Sequence, residues 1–189
     1  NASSLVFSKE NLAEIFGNNN ISGSRTVYLP KKQNNFIVES LKVSLQTLGL
    51  SGEIEHSKGL KISIDKIQKK ITFSQSKSTD WALIKNTNLK DWTIGFRGIS
   101  GNYAVTNPYQ QRFNYRGLTG CLNFYNTSFN ETELAVDSGR CEDSLNIVGS
   151  SGSLKSINID NAFSDGVDID FSDIEIKELI VENAGNDCL

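Results

Sequence analysis

Carboxylates crowd the last third of the chain, and their spacing bounds the chemistry open to them. Asp165, Asp168, Asp170, Asp173 and Glu175 fall within eleven residues, and Asp187 lies one repeat further on. Two acids converging on one substrate can serve as general acid and base, the chemistry of glycoside hydrolysis. Asp165, Asp168 and Asp187 are the candidates for those catalytic roles. The same oxygens are numerous enough to ligate calcium, but their spacing matches no EF-hand loop, and alternation sends several to different faces. No other cofactor is implied. A solvated acidic face is the plain alternative.

A second candidate is the stretch 97–120. It holds three of the five tyrosines (Tyr103, Tyr109, Tyr115), Phe113, and three of the five arginines (Arg97, Arg112, Arg116). Disordered segments lack aromatics, and long insertions in a regular scaffold tend to be functional. Tyrosine faces suit sugar stacking, and arginines suit uronate carboxylates. Arg97, Tyr109, Arg112, Tyr115 and Arg116 are therefore candidate ligand-binding residues. Equally, the aromatics would pin the insertion to its scaffold. The single histidine, His56, precedes a Ser-Lys-Gly turn with no partner for a triad, and reads as a surface residue.

The scaffold is legible as a repeat. Leu122-Asn123-Phe124, Leu145-Asn146-Ile147 and Val167-Asp168-Ile169 follow one another at steps of 23 and 22 residues. Leu134-Ala135-Val136, Ile157-Asn158-Ile159 and Leu179-Ile180-Val181 repeat the phase 12 residues later in each case. Apolar-polar-apolar alternation marks a strand with one buried face. A single rung of two or three such strands cannot bury its inward residues, so rungs must stack. The expected fold is an all-β, right-handed parallel β-helix of about 21–23 residues per rung. Asp143, Asp165 and Asp187 recur before each first strand, as corner residues would. If Val167, Ile169 and Phe171 point inward, Asp168 and Asp170 point outward. Asn146, Asn123 and Tyr125 then join them in a polar strip that could bond sugar hydroxyls under the 97–120 insertion.

Fainter rungs run upstream. Leu60-Lys61-Ile62 with Trp81-Ala82-Leu83 is one expected pair, and Ile71-Thr72-Phe73 with Trp92/Ile94 another. Lys9–Phe16 reads as a short helix stopped by Gly17. Phe36-Ile37, Leu41, Leu45 and Leu48 fit a helical stripe ended by Gly49, with a strand reading also open. Residues 1–56 are thus expected as an N-terminal helical cap and 57–189 as rungs, in one structural domain truncated at its C-terminus.

Composition narrows the classes. A net charge of −3 hides a balance of +8 over residues 1–130 and −11 over 131–189. In an elongated stack this makes a basic end and an acidic end, open to end-to-end self-association at the C-terminal rung. The lysines form no stripe interleaved with aromatics, which argues against nucleic acid. No apolar stretch approaches the roughly 18 residues needed to span a bilayer. Cys121, Cys141 and Cys188 lack the paired spacing of a zinc site and are too few for a disulfide framework. A Cys121–Cys141 bridge across one rung stays open.

Ser164-Asp165-Gly166-Val167-Asp168-Ile169, followed one repeat later by Asn186-Asp187-Cys188-Leu189, resembles the polygalacturonase group of the pectate-lyase/polygalacturonase-like superfamily. That group carries Asn-Thr-Asp-Gly and then Asp-Asp-Cys one rung on, with the aspartates as acid and base. The resemblance implies a carbohydrate-associated β-helix, with Asp165 and Asp187 on matching positions. Asn186 stands where the family has the first Asp of its pair, and the family's later histidine and basic motifs would lie past Leu189. The functional expectation is a polysaccharide- or glycan-binding β-helix of a secreted, cell-surface or periplasmic bacterial protein. A hydrolase, lyase or epimerase, and a structural spacer of an adhesin or spike, are the alternatives.

Overall fold

The computed structural model describes residues 40–99 and 118–189, and upstream of them two short strands, β1 (Leu5–Val6) and β2 (Thr26–Val27), which pair antiparallel. The chain divides into two units, Asn1–Ile37 and Val38–Leu189. The second unit is a β-solenoid of about four turns.

It opens with an antiparallel hairpin of β3 (Ser40–Ser44) and β4 (Glu53–Ser57), joined through a 3-10 turn at Leu45–Leu48. A second hairpin, β5 (Lys61–Asp65) and β6 (Lys70–Ser74), follows. The first turn comprises β7 (Ala82–Lys85), β8 (Asn88–Lys90) and β9 (Thr93–Arg97). The second comprises β10 (Gly120–Tyr125) and the long β11 (Ser128–Asp137). β12 (Asp143–Val148) and β13 (Ser151–Asp160) make the third. β14 (Asp165–Asp170), β15 (Asp173–Ile176) and β16 (Leu179–Glu182) make the fourth. In the two middle turns the second and third segments run on as one strand, kinked by register shifts between Phe129 and Glu133.

Three faces result. β7, β10, β12 and β14 pair in parallel as the first. β8, β15 and the leading halves of β11 and β13 form the second. β6, β9, β16 and the trailing halves of β11 and β13 form the third. The expected register holds: Leu122 lies against Leu145 and Leu145 against Val167, while Leu134, Ile157 and Leu179 align on the third face. Ala82 extends the first file upstream, and Ile71 and Ile94 extend the second. All but Leu179 of these inward residues are essentially buried. The expected pairing of Ile71-Thr72-Phe73 is found, with Ile94-Gly95-Phe96 as its partner.

The other faint rung is not. Ile62 pairs antiparallel with Phe73, and Ala82 pairs antiparallel with His56. The polar run after Asp65 makes a hairpin turn there, because Asp65 Oδ1 accepts hydrogen bonds from Ile67 N and Gln68 N, both at 2.9 Å. The stripe ending at Gly49 is also corrected. Residues 40–44 are strand, and only Leu45–Leu48 turn, as a 3-10 segment stopped by Gly49 at φ 76°. The helix expected over residues 9–16 lies outside the described residues.

The corner after the first face is built the same way in every turn. Asn86, Asn126, Gly149 and Phe171 adopt positive φ (56°, 49°, 58° and 49°). A hydroxyl residue follows each: Thr87, Thr127, Ser150 and Ser172. Thr127 N donates to Ser150 Oγ at 3.1 Å, and Ser150 N to Ser172 Oγ at 3.0 Å. The hydroxyls of Thr127, Ser150 and Ser172 each donate back to the carbonyl two residues earlier, for example Ser172 to Asp170 O at 2.8 Å, whereas Thr87 Oγ1 has no partner among the described residues. Turns are thus tied at the corner by side chains as well as by the sheet.

Cys121 and Cys141 form a disulfide, with Cα atoms 5.3 Å apart. Gly139 passes so close, at φ 112°, that a Cβ there would sit 2.7 Å from Cys121 Sγ. Bridging a separation of 20 residues stabilises the fold by about 3 kcal/mol in the loop-entropy view. Thiol titration of the denatured, unreduced protein should therefore find one free cysteine, Cys188, and reduction should lower the unfolding free energy by about that amount. Identical denaturant midpoints before and after reduction would contradict this.

Candidate functional site

On the first face, alternation sends one side chain in two outward. Register aligns Leu83, Asn123, Asn146 and Asp168 in one outward column, and Lys85, Tyr125, Val148 and Asp170 in the next. The upstream half of this surface is closed. Trp81, Leu83 and Leu118 pack into a small apolar cluster with Val148 against it. Lys85 is buried between Glu55 Oε2 at 2.6 Å and Glu53 Oε1 at 3.0 Å, both on the cap strand β4. A buried charge left alone is costly, so this pairing holds the antiparallel hairpin in place.

The downstream half is concave. A cavity of about 500 Å³ is lined by Asp143, Asp165, Asp168, Asp170 and Asp187, together with Thr119, Asn146 and Phe171. The three expected catalytic residues, Asp165, Asp168 and Asp187, are thus brought together, and Asp170 and Asn146 join them. Asp165 already has a structural duty: its Oδ1 accepts from Asn186 Nδ2 at 2.9 Å and Asp187 N at 3.1 Å, which ties the next coil down. Asp143 pairs with Asp165 in register and accepts from the Thr119 hydroxyl. Burial pushes its carboxyl up to about 6; the Thr119 bond opposes this, and the negative charges of Asp168, Glu142 and Asp165 reinforce it. Asp168 is also raised, by burial first and then by Asp170, against the bond from Asn146.

The two amides differ. Asn123 is fully engaged: Oδ1 accepts from Gly120 N at 2.9 Å, and Nδ2 donates to Gly120 O at 2.6 Å and Ala82 O at 2.9 Å. It clamps the strand start and offers nothing outward. Asn146 Nδ2 donates to Asp168 Oδ2 at 2.9 Å, while its buried Oδ1 has no hydrogen-bond partner among the described residues. An unsatisfied acceptor at a cavity wall favours a ligand that brings a donor.

Comparison with family models, curated proteins and solved structures finds no match to this chain.

The remaining expected residues lie apart. Tyr125 stands in the outward column beside Val148, outside the cavity lining. Arg97 is exposed at the end of β9, on the third face, where it borders a separate groove with Lys70 and Asp160. Tyr109, Arg112, Tyr115 and Arg116 fall outside the described residues. Asp173 and Glu175 are on β15, a different face from Asp168 and Asp170. No group of three or more His, Cys, Asp or Glu among the described residues could hold a metal ion. His56 is buried rather than at the surface, with Nδ1 2.8 Å from Ser57 O.

Phe171, expected to point inward with Val167 and Ile169, does not: the positive φ of its corner turns the ring out of the core. It lines the cavity and is 93% exposed, in the left-handed conformation that its corner equivalents fill with Asn, Asn and Gly. A bulky residue there is strained by about 1 kcal/mol or more. The signal lay in the column itself, where one aromatic interrupts a file of turn residues.

An aspartate raised above its unfolded value of about 3.9 favours folding fully only below that pH, and the favour is lost as pH rises through the folded value, about 6 here. At roughly 1.4 kcal/mol per pH unit, the loss from Asp143 is up to about 3 kcal/mol. Asp143→Asn should therefore be more stable than the parent at pH 7, by about 1–3 kcal/mol, and equal to it near pH 4. Comparing the two proteins isolates this group from Glu53, Glu55 and Glu131, whose lowered values act in the opposite sense. Urea unfolding at a series of pH values measures it, and a constant difference across the range would refute the assignment.

Proposed function

We propose that this chain is a glycan-binding β-solenoid, and that the acidic cavity on its first face takes a short segment of a neutral polysaccharide. The observation that carries the reading is Phe171, an exposed aromatic held in a strained conformation at the lip of a polar cavity. Sugar rings offer one face of C–H groups, which stacks on an aromatic, and a rim of hydroxyls. Carboxylates accept strongly from hydroxyls. Asn146 Oδ1 is a further acceptor. A uronate polymer fits poorly, because its carboxylates would face Asp165, Asp168, Asp170 and Asp187. Of the arginines expected to offset such charge, Arg97 borders another face, and Arg112 and Arg116 lie outside the described residues.

The Cys121–Cys141 bridge supports an oxidising setting, that is, a cell-surface, extracellular or periplasmic one. The resemblance to polygalacturonase-like proteins supports a carbohydrate ligand in general, the choice of a neutral one resting on the acidic lining alone, and the solenoid is compatible with that superfamily. Catalysis is the second reading, favoured by one fact: Asp143 holds its proton to about pH 6 in the same cavity as Asp165. A carboxyl raised by burial beside other, ionised carboxylates is the arrangement a glycosidase acid requires. Reducing-end release from any bound glycan, abolished by Asp143→Asn, would promote this reading over simple binding.

A screen of neutral and acidic glycans, followed by calorimetry, tests the proposal. Neutral glycans should bind, and Phe171→Asn should weaken binding about tenfold, the effect of losing a stacking contact of roughly 1.5 kcal/mol. The same substitution should leave the fold as stable or up to about 1 kcal/mol more stable, because Asn accepts positive φ readily. Undiminished binding by Phe171→Asn, or binding confined to uronate polymers, would sink the proposal.

A further inference from the structure

The opposite pole of the solenoid carries a different surface. Residues 40–99 hold ten Lys and Arg against five Asp and Glu, whereas residues 118–189 hold three against fourteen. Sheet order runs β5, β6, β9, β11, β13 along the third face, so this charge difference is spread along the stacking axis. The positive charge gathers on the β5–β6 hairpin. Residues 58–77 contain six lysines and one acid, Asp65, whose Oδ1 is occupied with the turn amides of Ile67 and Gln68.

At the tip stands Ile67, 96% exposed. Exposed Lys66 precedes it, and Lys69 and Lys70 follow within three residues. Lys69 itself sits at φ 49°, where glycine or asparagine would be at ease, and its Nζ reaches Lys90 O at 3.3 Å. Lysines on an edge strand also discourage sheet-to-sheet pairing. That role gives no reason for a fully exposed isoleucine, nor for a lysine at the left-handed position.

We propose that the β5–β6 hairpin is a peripheral docking element for an anionic lipid bilayer. Ile67 enters the interface, while Lys61, Lys66 and Lys70 lie against the headgroup charge. Basic side chains around an apolar contact are the pairing that holds proteins on such surfaces without crossing them. The Asp65-capped turn presents Ile67 preformed, so little ordering is needed on contact. The charge gradient also orients the molecule: an anionic surface attracts the hairpin pole and repels the acidic pole, which leaves the Phe171 cavity toward the far end of the stack.

Co-sedimentation of the intact protein with vesicles tests this directly, using phosphatidylcholine alone and phosphatidylcholine mixed with phosphatidylserine. Only the mixed vesicles should bind at low salt. Ile67→Ser should weaken that binding at least fivefold, and the combined Lys61→Gln, Lys66→Gln and Lys70→Gln at least tenfold. About 1 M salt, with a screening length near 3 Å, should release the protein. All these side chains are exposed, so circular dichroism should match the parent. Phe171→Asn should bind vesicles normally, which separates this proposal from the glycan reading. Equal binding to neutral vesicles, an Ile67→Ser variant that binds like the parent, or retention by a soluble anionic polymer such as heparin with none by vesicles, would overturn it.

Discussion

Every feature of this molecule depends on turns lying directly over one another. A strand of one turn finds its backbone partners in the turns above and below, about 4.8 Å away, and none within its own turn. An isolated turn would leave those groups unpaired and its apolar residues in water. Stacking answers both needs at once, so positions Ala82, Leu122, Leu145 and Val167 become one inward file. The same constraint acts on corners. Asn126 Nδ2 reaches Asn86 Oδ1 at 2.8 Å, and Asn183 Nδ2 reaches Asp160 Oδ1 at 3.0 Å, so polar residues also satisfy one another turn to turn.

What could be read from the chain follows from this. A 22-residue period shows in any sequence whose equivalent positions meet the same neighbours, and the files at 122/145/167 and 134/157/179 were legible for that reason. Upstream the neighbours change. β5 meets β6 across a hairpin and β4 meets β7 antiparallel, so alternation remains while the period disappears. Leu60–Ile62 therefore has the right pattern in the wrong pairing. The second segment of each turn made no third column in the sequence, because its positions do not stay apolar from turn to turn: Leu89 and Phe129 align with Gly152, where a Cβ would meet Phe129 O at 2.0 Å.

The site was legible only in part. Alternation predicted which face Asp168 and Asp170 take, and the repeat brought Asp165 and Asp187 beside them. Neither rule says which outward residues are covered. Asn123 and Asn146 occupy the same column, yet one is bound on all sides by backbone and the other keeps a free acceptor. That difference arises one strand start earlier, where Gly120 stands opposite Asp143. Glycine lets Asn123 fold back on the backbone of its own strand. Asp143 engages Thr119 instead, which leaves Asn146 turned to its neighbour Asp168.

Stacking also makes the acidic pole self-opposing. A register that places like residues over one another places like charges over one another as well, and Leu145 over Val167 and Asp143 over Asp165 show both outcomes. Where two carboxylates share a column and one is buried, the buried one must take up a proton or cost stability, and Asp143, pushed up to about 6, does the first in mild acid and the second at neutral pH. The column could have been relieved with asparagine, as it is at Asn146, or with lysine, as Lys155 relieves Glu133 on another face at 2.5 Å. Instead strain accumulates at one place: within one cavity wall stand several acids with no cation partner among the described residues, an amide oxygen likewise unsatisfied among them, and an aromatic at positive φ. A fold whose period makes correction easy everywhere else keeps its local conflicts where a ligand can resolve them.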